Sequence, residues 1–320
     1  MLNLYKMRNK FTVLCLLLCW NWAVKGQSLL ISCSTERNAD NSISIIGQSQ
    51  AYGTYTVRII FSSMLGYHSA FSISNNIALA TIETGRKELL KFSQEKVAVS
   101  YSFQYRYQYY PGTALRKQPD TSFLYLLPAS PGNTVRISQV SSLAARLGQK
   151  KSNDYSGTGF VYKQGDSICA ALAGLVYDAN DGIKEAEKSN EFYKSVRNRL
   201  SIQQRDGSIC TYDILAPIHL LVQPGDIVLP GTPLAVFNQP GEKYMVLLST
   251  YYLDEKQLLI AAENNPSSAC TVYMPTHFYC EESNGSAPLT VNQQYTARHP
   301  ANIISTELSK KEKKRLGLQQ

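Results

Sequence analysis

The chain has 320 residues, 44% of them apolar, with 32 Lys and Arg against 24 Asp and Glu for a formal net charge of +8. Its length allows one large or two ordinary domains with a real hydrophobic core. The charge sits at the two ends: residues 1–26 carry Lys6, Arg8, Lys10 and Lys25 and no acid, while the C-terminal "SKKEKKRLGLQQ" carries five basic residues and one acid, +4 each. The body between is near neutral, which excludes the basic balance as a sign of a nucleic-acid surface; the lysine-rich tail reads most simply as a solvated terminus, with weak attraction to anionic envelope polymers as the alternative.

In chain order, the first segment reads as an export signal. Lys6, Arg8 and Lys10 precede an uncharged apolar run from Phe11 to Val24, shorter than a membrane span, and Gly26–Gln27 fits a cleavage point. The expected location is therefore the periplasm, the cell surface or the medium, with membrane contact only through an uncleaved signal or a lipidated Cys33, which ends the box "LISC". Cys15 and Cys19 leave with the signal, so Cys33, Cys169, Cys210, Cys270 and Cys280 remain. Export permits disulfides, and an odd number leaves at least one thiol over. A local bridge between Cys270 and Cys280 is one expectation. Cys169 and Cys210, in the apolar contexts "SICAAL" and "SICTY", read as buried thiols or as partners of one another.

The remainder reads as all-β. "SISII" and "TYTVRIIF" are β-rich, and in "VAVSYSFQYRYQYY" Val97, Val99, Tyr101, Phe103, Tyr105, Tyr107 and Tyr109 recur with period two, as on a half-buried antiparallel strand that Pro111-Gly112 ends. The tyrosines read as core with polar tips, or else as a stacking platform for a ligand. With "TSFLYLLP" these place an N-terminal β-sandwich over residues 28–130. A second unit spans residues 131–262. Short apolar runs alternate there with Gly and Pro turns, and "IKEAEKSNEFYKSVRNR" is its one helix-like insert. Residues 263–303 hold a β extension around "CTVYMPTHFYC", and residues 304–320 are expected to be a disordered basic tail.

Three stretches of the second unit come in a recognisable order: "GDSICAALAGLVYD", "RLSIQQRDGSICTYDIL" and "LLVQPGDIVLPGTPLAVFN". In the last, Gly225-Asp226 and Gly231 sit where tight turns are needed, with Val222, Val228 and Leu234 facing inward. This succession resembles the core of the lysostaphin-type zinc metallopeptidases. The resemblance implies an antiparallel sheet carrying one zinc on two histidines and an aspartate, with a further histidine assisting cleavage of cell-wall peptide bonds. Residue by residue the ligands are gone. Gly159 before Phe160 stands at the ligand aspartate, and the partner histidine falls near Ser152 to Tyr155. The family's Tyr-x-His is Tyr212-Asp213-Ile214, and its final His-x-His corresponds to Tyr244 and Val246. His68, His219, His277 and His299 are elsewhere and read as surface or hydrogen-bonded residues. Asp154, Asp178 and Asp213 are candidates for a carboxylate pair only because they lie near the former site.

The sequence thus implies an exported pseudo-peptidase with zinc lost and no cofactor. A groove at the former site, around Tyr155, Gly159, Phe160, Tyr212, Ile214, Tyr244 and Val246, is expected to bind cell-wall peptide or an envelope protein partner. An active zinc endopeptidase with an atypical site and a structural envelope component are the alternatives.

Overall fold

The computed structural model describes residues 30–95, 100–138, 156–182, 198–237, 243–260, 270–281, 289–315 and 317–318. The helix-like insert falls largely on residues 183–197, outside them. The fold is all-β.

The first unit has seven strands: β1 (Ile31–Arg37), β2 (Ile43–Ser49), β3 (Tyr55–Leu65), β4 (Tyr67–Ser69), β5 (Ile77–Ile82), β6 (Gly85–Gln94) and β7 (Ser102–Pro111). They form two antiparallel sheets, β1-β2-β6-β4 and β5-β3-β7. Apolar side chains from both, among them Ile31, Ile45, Val57, Ile59 and Phe92, are buried in one shared core. The period-two aromatics of β7 lie half-buried against it, with Phe103 edge-on to Phe92 at 4.9 Å between ring centroids.

The second unit follows with β8 (Ala114–Leu115), β9 (Leu124–Tyr125), β10 (Thr134–Ser138), β11 (Gly157–Tyr162), β12 (Ser167–Cys169), β13 (Gly174–Asn180), β14 (Asn198–Gln204) and β15 (Ile209–Ile214). It continues with β16 (His219–Leu220), β17 (Ile227–Val228), β18 (Pro233–Val236), β19 (Tyr244–Asp254), α1 (Glu255–Ile260), β20 (Thr271–Met274), β21 (His277–Phe278), β22 (Gln294–Thr296), α2 (Ala301–Ser305) and α3 (Lys310–Arg315). A ten-stranded sheet in the order β17-β13-β14-β15-β19-β11-β10-β22 forms its body, with β8 and β20 also paired to β19. The smaller sheet β12-β18-β16 supplies Ile168, Leu234 and Ala235 to the core on one face of the large sheet. Tyr125, Leu127 and Ala129, which the sequence assigned to the sandwich, pack in this second core.

Two hydrogen bonds fasten the units together. The Thr54 N–H donates to Gln203 Oε1 at 2.8 Å, and Gln203 Nε2 donates to the Thr54 carbonyl at 2.8 Å. One side chain of β14 thus bonds both backbone groups of a residue that precedes β3, and the Thr54 carbonyl also accepts the Gly112 N–H at 2.8 Å.

Two expectations are corrected. None of the five cysteines among the described residues, Cys33, Cys169, Cys210, Cys270 and Cys280, is in a disulfide. Cys270 sits in a small cluster with Tyr110, Leu253 and Leu258, whereas Cys280 and Cys210 belong to the large core, so burial in separate apolar surroundings replaces bridging. The C-terminal tail is not without structure, because α2 ends in it and α3 lies within it. Ser309 and Glu312 form a reciprocal cap on α3. The Ser309 N–H donates to Glu312 Oε2 at 2.8 Å, and the Glu312 N–H donates to Ser309 Oγ at 3.3 Å. Arg205 pairs with Glu312 and donates to the Glu307 carbonyl at 2.8 Å, and Glu307 Oε2 accepts the Ala173 N–H at 2.9 Å.

The Arg205 hydrogen bond, with those from Ser309, lowers the Glu312 pKa to about 2 from its ordinary 4.5. A depressed carboxylate stabilises above its ordinary value and loses that contribution as pH falls toward the folded one. Glu307 shifts the opposite way through burial, so the readout must be local to α3. The helical chemical shifts of Lys310–Arg315 are expected to decay between pH 4.5 and about 2, and to be weak already at pH 7 in Glu312→Gln. Shifts independent of pH in both proteins would contradict the latch.

Candidate binding site

The strand registers bring the positions of the resembled metal site together. Phe160 of β11 and Ile214 of β15 both pair with Val246 of β19; Tyr212 pairs with Leu248, Gly159 with Leu247, and Tyr244 with Tyr162. The side chains, however, are core. Phe160, Tyr212, Ile214 and Val246 have no exposed surface and Tyr244 has 4%. Tyr244 stacks on Phe237 at 4.7 Å between centroids, and the Tyr212 hydroxyl accepts the Ala171 N–H at 2.8 Å. Burial pushes the Tyr212 pKa well up. The groove expected from these residues is therefore filled. Aliphatic and aromatic side chains face the small sheet there and exclude water. Tyr155 and Asp154 lie outside the described residues. Among the described residues no three His, Cys, Asp or Glu side chains are grouped as metal ligands. His68 and His219 are exposed on β4 and β16, His277 is half-buried on β21, and His299 rests against Gly231.

The Gly-Asp pairs that carry the resemblance are turns. In Lys163–Asp166 the Asp166 carboxylate accepts the Lys163 N–H at 2.8 Å, with Gly165 at φ 81°. In Gln223–Asp226 the Asp226 carboxylate accepts the Gln223 N–H at 2.9 Å, with Gly225 at φ 102°. Each carboxylate clasps the backbone three residues back, and the glycine supplies a left-handed conformation that side chains disfavour. Val228 and Leu234 are buried and Val222 packs on the same core.

The opposite face of the large sheet is open. Alternation sends Arg199, Ser201, Thr211, Asp213, Ser249 and Tyr251 to the side away from Leu200, Tyr212, Ile214 and Leu248. Asp178, Ser201, Thr211 and Ser249 are direct cross-strand partners on β13, β14, β15 and β19, a polar row transverse to the strands. The register shifts between Val176 and Asp178, so Tyr177 is the extra residue of a β-bulge. In a regular strand neighbours point to opposite faces; here Tyr177 and Asp178 both face the groove while Val176 stays in the core.

The N-terminal sandwich forms the other wall with Leu30, Gln50, Tyr52, Tyr55, Tyr109 and Pro111. The groove encloses about 760 Å³ and carries six tyrosines: Tyr52, Tyr55, Tyr109, Tyr177, Tyr251 and Tyr273. Tyr55 meets Tyr177 edge-on across the two units at 6.3 Å. Tyr251 and Ser201 lie beside Tyr177, and Thr211 lies beside Tyr251. Arg199 Nε donates to Asp213 Oδ1 at 2.8 Å. Burial raises the Asp178 pKa, opposed by the charge of Arg199. Tyr52, half-exposed at the rim, lies over Gly225, where a Cβ would come within 2.8 Å of its ring.

No family model and no curated protein matches the chain. Four solved chains match. Among them is Helicobacter pylori Csd3, at 12% identity over 73% of this chain and 77% of that one, with a TM-score of 0.26. A score that low transfers neither fold nor chemistry, and the site rests on its own residues.

Sequence reasoning named Asp178 and Asp213 as carboxylates but not the face they share. The alternation that put Tyr212 and Ile214 on one side also put Thr211 and Asp213 on the other, which was a readable signal; the bulge at Tyr177 was not. Chemically, the filled face offers no lone pair at Ile214 or Val246, whereas the open face offers hydroxyls, ring faces, two carboxylates and a guanidinium.

Placing histidines on the filled face tests this placement. Ile214→His and Val246→His each bury a polar ring and are expected to destabilise by on the order of 2 kcal/mol, read from denaturant unfolding midpoints. A double variant that is as stable as the parent and takes up zinc stoichiometrically would contradict the filled core.

Proposed function

We propose that this chain is an exported, non-catalytic binding protein. It uses a lysostaphin-like sheet as a scaffold and takes a cell-wall peptide, or a peptide segment of an envelope protein, in the groove between that sheet and the N-terminal sandwich. The observation that carries the reading is the division of the sheet. The face where the resembled peptidases would hold zinc is packed with Phe160, Tyr212, Ile214 and Val246, and the other face carries a tyrosine-lined groove. Groove volume supports it too, since sites for small ligands measure about 300–1,000 Å³. Rigid aromatic walls bury ligand area at little entropic cost, and tyrosine hydroxyls and a polar row can bond to a peptide backbone. Nothing in this reading needs a metal or an activated water.

Binding is tested with the purified chain and isolated cell-wall and envelope fractions, comparing the parent with Tyr52→Ala and Tyr251→Ala. Tyr52 is half-exposed, so its loss leaves the core intact. Both substitutions are expected to weaken retention at least tenfold, with no new peptide ends released from the wall. Retention unaffected by either substitution, or zinc-dependent release of peptide ends by the parent, would overturn the proposal.

A further inference from the structure

The charges of the groove do not cancel. Its lining holds two carboxylates, Asp178 and Asp213, and one cation, Arg199. The 2.8 Å bond from Arg199 Nε commits that cation to Asp213, which keeps only 9% of its side-chain surface exposed. Asp178 is the carboxylate in surplus. It is half-buried, and the β-bulge that turns it into the groove places it beside Tyr177. Tyr55 and Tyr251 flank Tyr177, Tyr55 by an edge-on ring contact.

A surplus carboxylate among aromatic rings selects one sign of ligand. The faces of tyrosine rings carry negative potential and attract a cation within about 6 Å, and a carboxylate adds a charge-assisted hydrogen bond of roughly twice the ordinary strength. A ligand carboxylate would meet the same surplus as repulsion, because the lining carries two carboxylates to one guanidinium. Ammonium fits better than guanidinium. A compact point charge satisfies a single carboxylate, whereas a planar fork seeks bidentate partners.

We propose that the groove recognises a primary ammonium group of an extended peptide, with Asp178 as its counter-ion and the rings of Tyr55, Tyr177 and Tyr251 as its walls. This rests on the groove being the peptide site, as proposed above. The amine comes from a lysine-type side chain or from a peptide N-terminus, and the two are separated by the probes.

Isothermal titration of the purified chain would use N-acetyl-Ala-Lys-Ala-amide, whose only amine is on the side chain, its Nε-acetylated counterpart, and Ala-Ala-Ala-amide, whose only amine is terminal. At least one amine peptide is expected to bind, and whichever does identifies the source. Nε-acetylation, or N-terminal acetylation of Ala-Ala-Ala-amide, is expected to weaken binding at least tenfold. Asp178→Asn is expected to cause a similar loss for the amine peptide and no further loss for the acetylated one. A thermal melt of Asp178→Asn no lower than that of the parent establishes that the variant folds. Equal binding of amine and acetylated peptides, parental binding of the amine peptide by Asp178→Asn, or no binding of either amine peptide would overturn the inference. If retention of wall and envelope fractions still depends on Tyr52 and Tyr251 in that event, the ammonium preference fails alone; if that dependence is absent as well, the groove itself is not the site.

Discussion

Side chains along a β-strand point alternately to its two faces, and in β19 that rule governs most of this molecule. Tyr244, Val246 and Leu248 go to the core, and Ser249 and Tyr251 go to the groove. Because β19 pairs with β11, β15, β20 and β8, its register fixes which residues of the neighbours share each face. A slip of β19 by one residue would carry Val246 and Leu248 away from the core and bring Ser249 and Tyr251 into it, at the cost of burying polar groups among apolar side chains. The division between a closed face and an open one is thus enforced by the energetics of burial.

The closed face is a packed core rather than a hollow. Zinc ligands on a sheet hold polar atoms in a hollow, and water must reach them. Valine, isoleucine and phenylalanine at the same row need neither, and burying such side chains contributes roughly 1.5–3 kcal/mol each. The Gly165-Asp166 and Gly225-Asp226 turns stay necessary either way, since Ile168, Val228 and Leu234 reach the core only if the chain reverses there. The proposed binding belongs instead to the face that meets the sandwich, where Gln203 and Thr54 fasten the two units and Tyr55 meets Tyr177.

Much of this was legible in the sequence. The period-two tyrosines of β7, the Gly-Asp turns and the inward Val228 and Leu234 follow from local rules, and the resemblance to the zinc peptidases grouped Phe160, Tyr212, Ile214, Tyr244 and Val246. Whether those neighbours lined a hollow or filled it depended on the small sheet β12-β18-β16, a tertiary contact no spacing encodes. The groove needed three non-local facts: the docking of the sandwich, the bulge at Tyr177 and the pairing of Arg199 with Asp213. The tail departs from expectation for a local reason. Its lysines suggest solvation, while Ser309 and Glu312, three apart, are a cap signature in plain view. The cysteines depart from expectation because spacing in the chain carries no information on which core each thiol enters.

The central claim is that ligand contact falls on one face of the sheet and not the other. Side-chain and amide chemical-shift mapping of the labelled chain, titrated with soluble cell-wall peptide fragments, measures that directly. The expected perturbations fall at Tyr177, Asp178, Thr211 and Tyr251, with Phe160, Ile214 and Val246 unmoved. Perturbations centred on Phe160, Ile214 and Val246, with the groove residues silent, would contradict it.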